Sequence, residues 1–171
     1  VKILVTLSCA EMEEAALGGV RRRIDALNRG RRSTHPETPD HQQQWWQSHI
    51  IGAFGEYAVA KALGVEWNPT IGQVDQRDVL DYEVRTTEAP TPLLRYRGHN
   101  DPRANYILVS SRGNQLLIQG WLPGHTVQAL GYEEYENVWT AGVDQLYSMS
   151  DLNAEVLWSD TVKPYGLKQV R

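Results

Sequence analysis

Glu56 is the only acid between Trp45 and Leu63, a stretch dominated by Ile50, Ile51, Ala53, Phe54, Tyr57, Ala58, Val59, Ala60 and Leu63. At helical spacing, Ala53, Ala60 and Leu63 put Glu56 on a face that should be buried. A buried carboxylate is costly unless a cation, a metal or hydrogen-bond donors meet it. A second group lies in the run Asp75-Gln-Arg-Asp78-Val-Leu-Asp81-Tyr-Glu83-Val-Arg85-Thr-Thr. On a strand, Glu83, Arg85 and Thr87 share one face, and Tyr82, Val84 and Thr86 the other. Mg²⁺ takes one or two carboxylates, with waters and substrate phosphate completing its shell. Glu83 with Asp78 or Asp81, and the carbonyl of Val84, could supply such oxygens. Arg85 beside them could stabilise charge developing on an attacked phosphate. The plainer expectation is an edge strand carrying a surface Glu83–Arg85 pair worth under about 1 kcal/mol.

Strand parity leaves the second ligand open. On one straight strand Asp78 points away from Glu83, whereas Asp81 has the same parity as Glu83. Either a bend or bulge near Val79-Leu80 brings Asp78 round, or Asp81 is the ligand. Asp75 is a third acid in the same window. His49, one turn before Ala53, lies on the face of Glu56.

These residues need elements to position them. Residues 1–8 read as a short apolar strand or an extended lead-in. Ser8 caps a helix from about Ala10 to Asn28, with acids at its start and arginines near its end. The Gly18-Gly19 pair weakens this helix and marks a candidate break. Gly30–Gln44 has two prolines and no apolar residue, and reads as an exposed linker. A buried helix then runs from about Trp45 to Leu63, closed by Gly64. Strand-like runs follow at Tyr82–Thr87, Leu93–Arg97, Tyr106–Ser111 and Leu116–Leu122, the last two joined as a hairpin through Arg112-Gly113-Asn114. Beyond Pro123 the pattern weakens to short helical pieces near His125–Leu130 and Asp151–Leu157 and a short strand near Gln145–Tyr147. A sheet covered by helices, α/β or α+β, is the expected class.

The 171 residues amount to about one domain. Net charge is −4 and the pI about 5.7, so bulk electrostatics does not favour nucleic acid. The charge is unevenly spread, however. Thirteen of the seventeen basic residues are Arg, and six of these, Arg21, Arg22, Arg23, Arg29, Arg31 and Arg32, form a basic stretch suited to a phosphate backbone. Acids gather at Asp75–Glu83 and again at Glu133, Glu134 and Glu136. The lone Cys9 has no partner for an internal disulfide or a zinc–thiolate site. No run approaches the roughly 20 apolar residues of a membrane span, and no leader-like segment opens the chain. A cytoplasmic setting is the expectation. Absent histidine spacing argues against a zinc hydrolase, and absent glycine motifs against a P-loop or a nucleophile elbow. Most of the tryptophans are expected to pack in the core or at interfaces.

Gly55-Glu56 in an Ala-rich helix, an Asp before a strand, and Glu83-Val84-Arg85-Thr86 on that strand together resemble the PD-(D/E)XK nuclease superfamily. The pattern resembles small, uncharacterised phage and bacterial members carrying an E-x-R variant, over roughly Trp46 to Gly124, with a weaker echo at Gln145–Leu152. The resemblance implies a restriction-endonuclease-like α/β core over 45–171, with a central mixed sheet flanked by helices and residues 1–44 as a helical extension and Arg-rich linker. It implies Mg²⁺ or Mn²⁺ and hydrolysis of a phosphodiester in nucleic acid, double-stranded DNA foremost, by a protein compatible with a homodimer. Carried over, Asp78 and Glu83 are metal ligands and Glu56 is an accessory carboxylate. Arg85 stands where the family has Lys. That replacement keeps a second expectation alive: a catalytically inactive relative that binds nucleic acid or a protein partner.

Overall fold

The structure is a computed structural model describing residues 1–30, 39–72, 76–135, 137–151 and 167–170. Its elements are β1 (Lys2–Thr6), α1 (Cys9–Asn28), α2 (Pro39–Leu63), β2 (Tyr82–Thr87), β3 (Leu93–Arg97), β4 (Asn105–Arg112), β5 (Gln115–Pro123), α3 (Gly124–Leu130), β6 (Tyr132–Tyr135), β7 (Val138–Gly142) and β8 (Leu167–Val170). Two short 3₁₀ turns, Val143–Gln145 and Met149–Asp151, follow β7. A five-stranded mixed sheet has the order β2-β4-β5-β1-β8, and a three-stranded sheet the order β3-β7-β6. Only β2 and β4 run parallel among the paired strands of the described residues. The class is α/β, with three helices among the described residues. None of those helices is long and apolar enough to cross a membrane.

Strand β4 explains why there are two layers of core. Ile107 and Val109 join Val5, Ala53, Val59 and Ile118 in one buried cluster with α1 and α2. Tyr106 and Leu108 join Leu94, Tyr96, Leu122 and Val127 in another, with β3 and α3. A strand covered on both faces needs apolar residues in succession rather than in alternation, which is what Tyr106–Val109 provides.

The first 28 residues belong to this core and are not an extension to it. β1 is hydrogen-bonded between β5 and β8, and Val5, Leu7 and Ala15 share a cluster with Ala53 and Ile118. Ser8 caps α1 through a reciprocal pair with Glu11. The helix does not break at Gly18-Gly19, because both glycines sit at its contacts. A Cβ on Gly19 would lie 2.6 Å from the His49 carbonyl oxygen, and one on Gly18 2.5 Å from the Trp67 ring. Their missing side chains let α1 approach α2 backbone to side, antiparallel. The contacts run from Glu11 with Lys61, through Glu14 with Tyr57, to Arg23 with Trp45. The expected linker is also shorter than read: α2 starts at Pro39, and its locked φ suits a first helical turn.

Two strands beyond Pro123, β6 and β7, were not legible as such, while Gln145–Tyr147 is no regular strand. Tyr147 forms a single bridge to Trp121. The expected helix at Asp151–Leu157 lies, past Asp151, outside the described residues. Trp67 is buried against Tyr57, Trp121 packs on Tyr147 and Trp139 on Tyr96.

Helix α2 lies close on β2. A Cβ on Gly55 would fall 1.9 Å from Thr86 Oγ1, whereas one on Gly52 would meet nothing within 4 Å. Gly55→Ala therefore overpacks the α2–β2 contact and should cost about 2 kcal/mol, after about 1 kcal/mol of gained helix propensity. Gly52→Ala, three residues away, should gain about 0.5–1 kcal/mol. Denaturant midpoints of the two variants check the pair; equal midpoints would refute the close contact.

Candidate functional site

The α2–β2 contact decides where Glu56 goes. Its side chain is only 4 % exposed and is clamped by Arg22 of α1, with Nη1–Oε1 at 2.6 Å and Nη2–Oε2 at 2.7 Å. This parallel two-bond fork is the strong form of the Arg–carboxylate pair. The cation that a buried Glu56 requires is thus a residue of the basic stretch. Arg22 is not available as a surface grip for phosphate. Nor is Arg23, which is buried with its guanidinium 4.5 Å from the Trp45 ring centre and 5.9 Å from that of Trp46. Arg29 pairs with Asp25 and donates to the Gly72 carbonyl. Arg21 is exposed, and Arg31 and Arg32 lie outside the described residues. His49 sits near Arg22 and Arg23, and burial together with those two charges pushes its pKa below the ordinary value.

The backbone bends between Asp78 and Asp81. Val79 and Tyr82 form a tight turn, with the Tyr82 N–H donating to the Val79 carbonyl at 2.9 Å. Leu80 adopts φ +50° within it. A bulky side chain in the left-handed region stores backbone strain. Asp81 occupies the exposed tip and faces solvent. Asp78 is folded back beside β2 and accepts the Val84 N–H at 2.8 Å through Oδ2. The two acids are therefore not on one straight strand, and the alternation argument for Asp81 fails at that bend. Asp75 lies outside the described residues.

Glu83 and Arg85 share a face of β2, as alternation requires. Arg85 Nη1 lies 3.3 Å from Glu83 Oε2, 3.2 Å from the Val84 carbonyl oxygen and 3.9 Å from Asp78 Oδ2. One guanidinium nitrogen thus stands amid the three oxygens that the sequence nominated for a cation. Its Cζ is 5.1 Å from the Tyr106 ring centre. The other Glu83 oxygen accepts from Arg77 Nη1 at 3.2 Å, and Arg77 Nη2 bonds Asp101 Oδ2 at 2.5 Å. Arg77 was missed as a site residue; it lies inside the acidic run, where a base between acids was the available signal. Asp101, which with Arg95, Arg97, His99 and Arg103 flanks the turn between two strands as a polar loop or a phosphate contact, enters from the β3–β4 loop. Of the second acidic cluster, Glu133 accepts the Asn137 N–H in the β6–β7 turn.

Charge is not evenly neutralised. Burial, with the negative charges of Glu56 and Glu83 nearby, pushes the Asp78 pKa up to about 7, against the lowering effects of the Val84 N–H and Arg85. No group of three or more His, Cys, Asp or Glu side chains among the described residues is arranged to hold a metal. Two carboxylates and a backbone carbonyl are nevertheless a donor set of the kind that Mg²⁺ uses alongside water and phosphate. Arg85 Nη1 occupies the space between those oxygens in this structure.

Two outcomes follow. Arg22→Met leaves Glu56 buried without its partner and should cost about 3–5 kcal/mol in chemical denaturation, with part of the loss recovered by adding Glu56→Gln. Asp78 has a raised pKa in the folded chain, so its ionisation opposes folding. Its contribution to stability is full below about pH 4 and is lost as pH climbs to about 7. Asp78→Asn should therefore melt higher than wild type at pH 8, with the gap closing by pH 4. A gap of the same size at both pH values would contradict that assignment.

No protein-family model, curated protein or solved structure matches this chain, and the geometry of the site is what speaks for its chemistry.

Proposed function

We propose that the chain is a metal-dependent phosphodiesterase acting on nucleic acid, foremost DNA, with a restriction-endonuclease-like site. The observation that carries this reading is the meeting of Glu56 from α2, Asp78 from the turn before β2 and the Glu83–Arg85 pair on β2, where Asp78 feels the charge of both glutamates. Asp78, Glu83 and the Val84 carbonyl would hold Mg²⁺ or Mn²⁺. A bound ion of this kind lowers the pKa of a water and polarises a phosphoryl oxygen. The net reaction adds water oxygen to phosphorus and breaks the bond to a sugar oxygen, which leaves as a hydroxyl, giving a phosphate monoester.

The chain's own residues supply positioning. The Arg22 fork holds Glu56 in place, and Glu56 keeps negative potential on Asp78. The Val84 N–H fixes one Asp78 oxygen. Arg85 cannot remain amid the donor oxygens and also serve an ion there, so its guanidinium turns outward to the phosphate, where a fork of N–H donors stabilises charge on the attacked group. Arg77, tied to Asp101, anchors the far oxygen of Glu83.

Supercoiled plasmid incubated with Mg²⁺ or Mn²⁺ should be nicked by wild type and left intact by Glu83→Ala and Asp78→Ala. Arg85→Lys, which frees space and keeps the charge, should retain cutting. Wild type that fails on duplex, single-stranded and RNA substrates ends the catalytic reading.

One observation favours a second reading. Both Glu83 oxygens are already met by arginines, and Arg85 is itself a cation at the donor set. A catalytically inactive nuclease-fold protein that binds nucleic acid or a protein partner would keep that arrangement permanently. It would show salt-dependent DNA retention without divalent ions, unchanged in Glu83→Ala.

A further inference from the structure

On the other side of Arg85 lies a cavity of about 380 Å³, bounded by β2, β3 and the N-terminal half of α2. Ligand sites commonly occupy about 300–1,000 Å³. Arg85, Arg95 and Arg97 line it together with Ser48, Thr87 and Asn100, and no Asp or Glu is among its described lining residues. The chain as a whole carries 21 acids against 17 bases, so three guanidiniums lining one hollow, with no acid among its described lining residues, run against the overall balance. Strand geometry makes the cluster. On β3, Leu94 and Tyr96 are buried, so Arg95 and Arg97 must emerge together on the opposite face. On β2, Arg85 and Thr87 do the same. The Arg97 side chain has no hydrogen-bond or ion-pair partner among the described residues. Thr87 Oγ1 accepts from the Ala89 N–H, which leaves its own hydrogen to donate.

We propose that this cavity is an anion site that takes the phosphate of a single nucleotide. Forked N–H donors from more than one arginine match the tetrahedral oxygens of a phosphate. The volume exceeds that of a bare phosphate and leaves room for the attached sugar. That the phosphate belongs to a nucleotide rests on the nuclease reading; that the cavity prefers an oxyanion does not.

Calorimetric titration of the full chain at low salt, without divalent ions, tests it with inorganic phosphate, thymidine monophosphate and thymidine. The monophosphate should bind saturably, inorganic phosphate more weakly, and thymidine not at all. Arg97→Gln should weaken the monophosphate by at least about tenfold, the worth of one charge-assisted hydrogen bond, and Arg97→Lys should recover most of it. Arg97 is exposed and its side chain unpartnered among the described residues, so an unchanged melting temperature separates lost binding from lost fold. Glu83→Ala should retain monophosphate binding, so a failed nuclease assay leaves this result standing. Phosphate binding as tightly as the monophosphate overturns the nucleotide part. Thymidine binding as tightly as its monophosphate, or Arg97→Gln binding like wild type, overturns the site.

Discussion

A carboxylate held away from water has to find a positive charge, and the α2–β2 contact takes Glu56 out of water. Gly55 brings the helix backbone onto Thr86, and that close approach leaves Glu56, the next residue, facing protein and not solvent. The charge it finds is Arg22. Arg22 can reach because Gly18 and Gly19 let α1 press against α2 and the Trp67 ring. Two tight helix contacts, each dependent on glycine, thus converge on one buried ion pair. Removing either partner alone is expensive because the other stays desolvated.

The same logic distributes the remaining charges unevenly. Glu83 has two arginines, Glu56 has a complete fork, and Asp78 has one backbone N–H and an arginine nitrogen at 3.9 Å. Asp78 is therefore the acid whose ionisation the fold tolerates least, and its raised pKa expresses that deficit. Leu80 adds to the cost, because the turn that folds Asp78 back holds a bulky residue at positive φ. Strain and an under-neutralised carboxylate two residues apart are what a stability-only solution would remove, and both are features that cluster at functional sites.

The parts of this arrangement that follow a local period were readable in the residues. Tyr82–Thr87 and Leu93–Arg97 form strands over those bounds, and the shared face of Glu83 and Arg85 follows from alternation. The burial of Glu56 follows from a helix with apolar residues nearly all round. What was not readable is non-local. Arginines 22 and 23 look like a solvated stripe until α2 is laid against them, and then one is an ion-pair partner and the other lies over Trp45. A two-residue turn at Leu80-Asp81 cancels the parity that a straight strand would impose, and Leu80 is not a residue that advertises a left-handed conformation. Strands β6 and β7 carry Glu, Trp and Thr in short runs, and Thr140 and Ala141 are buried only because β3 and α3 cover them. The place of β1 in the middle of the sheet depends on β5 and β8, which lie more than a hundred residues away.

Arg85 joins the two halves of the site. Near Glu83 it meets three oxygens; towards Thr87 it borders a hollow that it shares with Arg95 and Arg97. In this structure its guanidinium carbon lies 5.1 Å from the Tyr106 ring centre. An oxyanion in the hollow draws the guanidinium away from Glu83 and the Val84 carbonyl, which leaves those oxygens in need of a cation. A cation at those oxygens repels the guanidinium towards the hollow. Under the proposed readings of the two sites, each charge would improve the site for the other, by the same free energy in both directions. Lysine at this position, with one compact ammonium, could not span the two sides as a planar fork does. Under the proposed reading, the arginine that departs from the family pattern is the element through which phosphate and metal are sensed together.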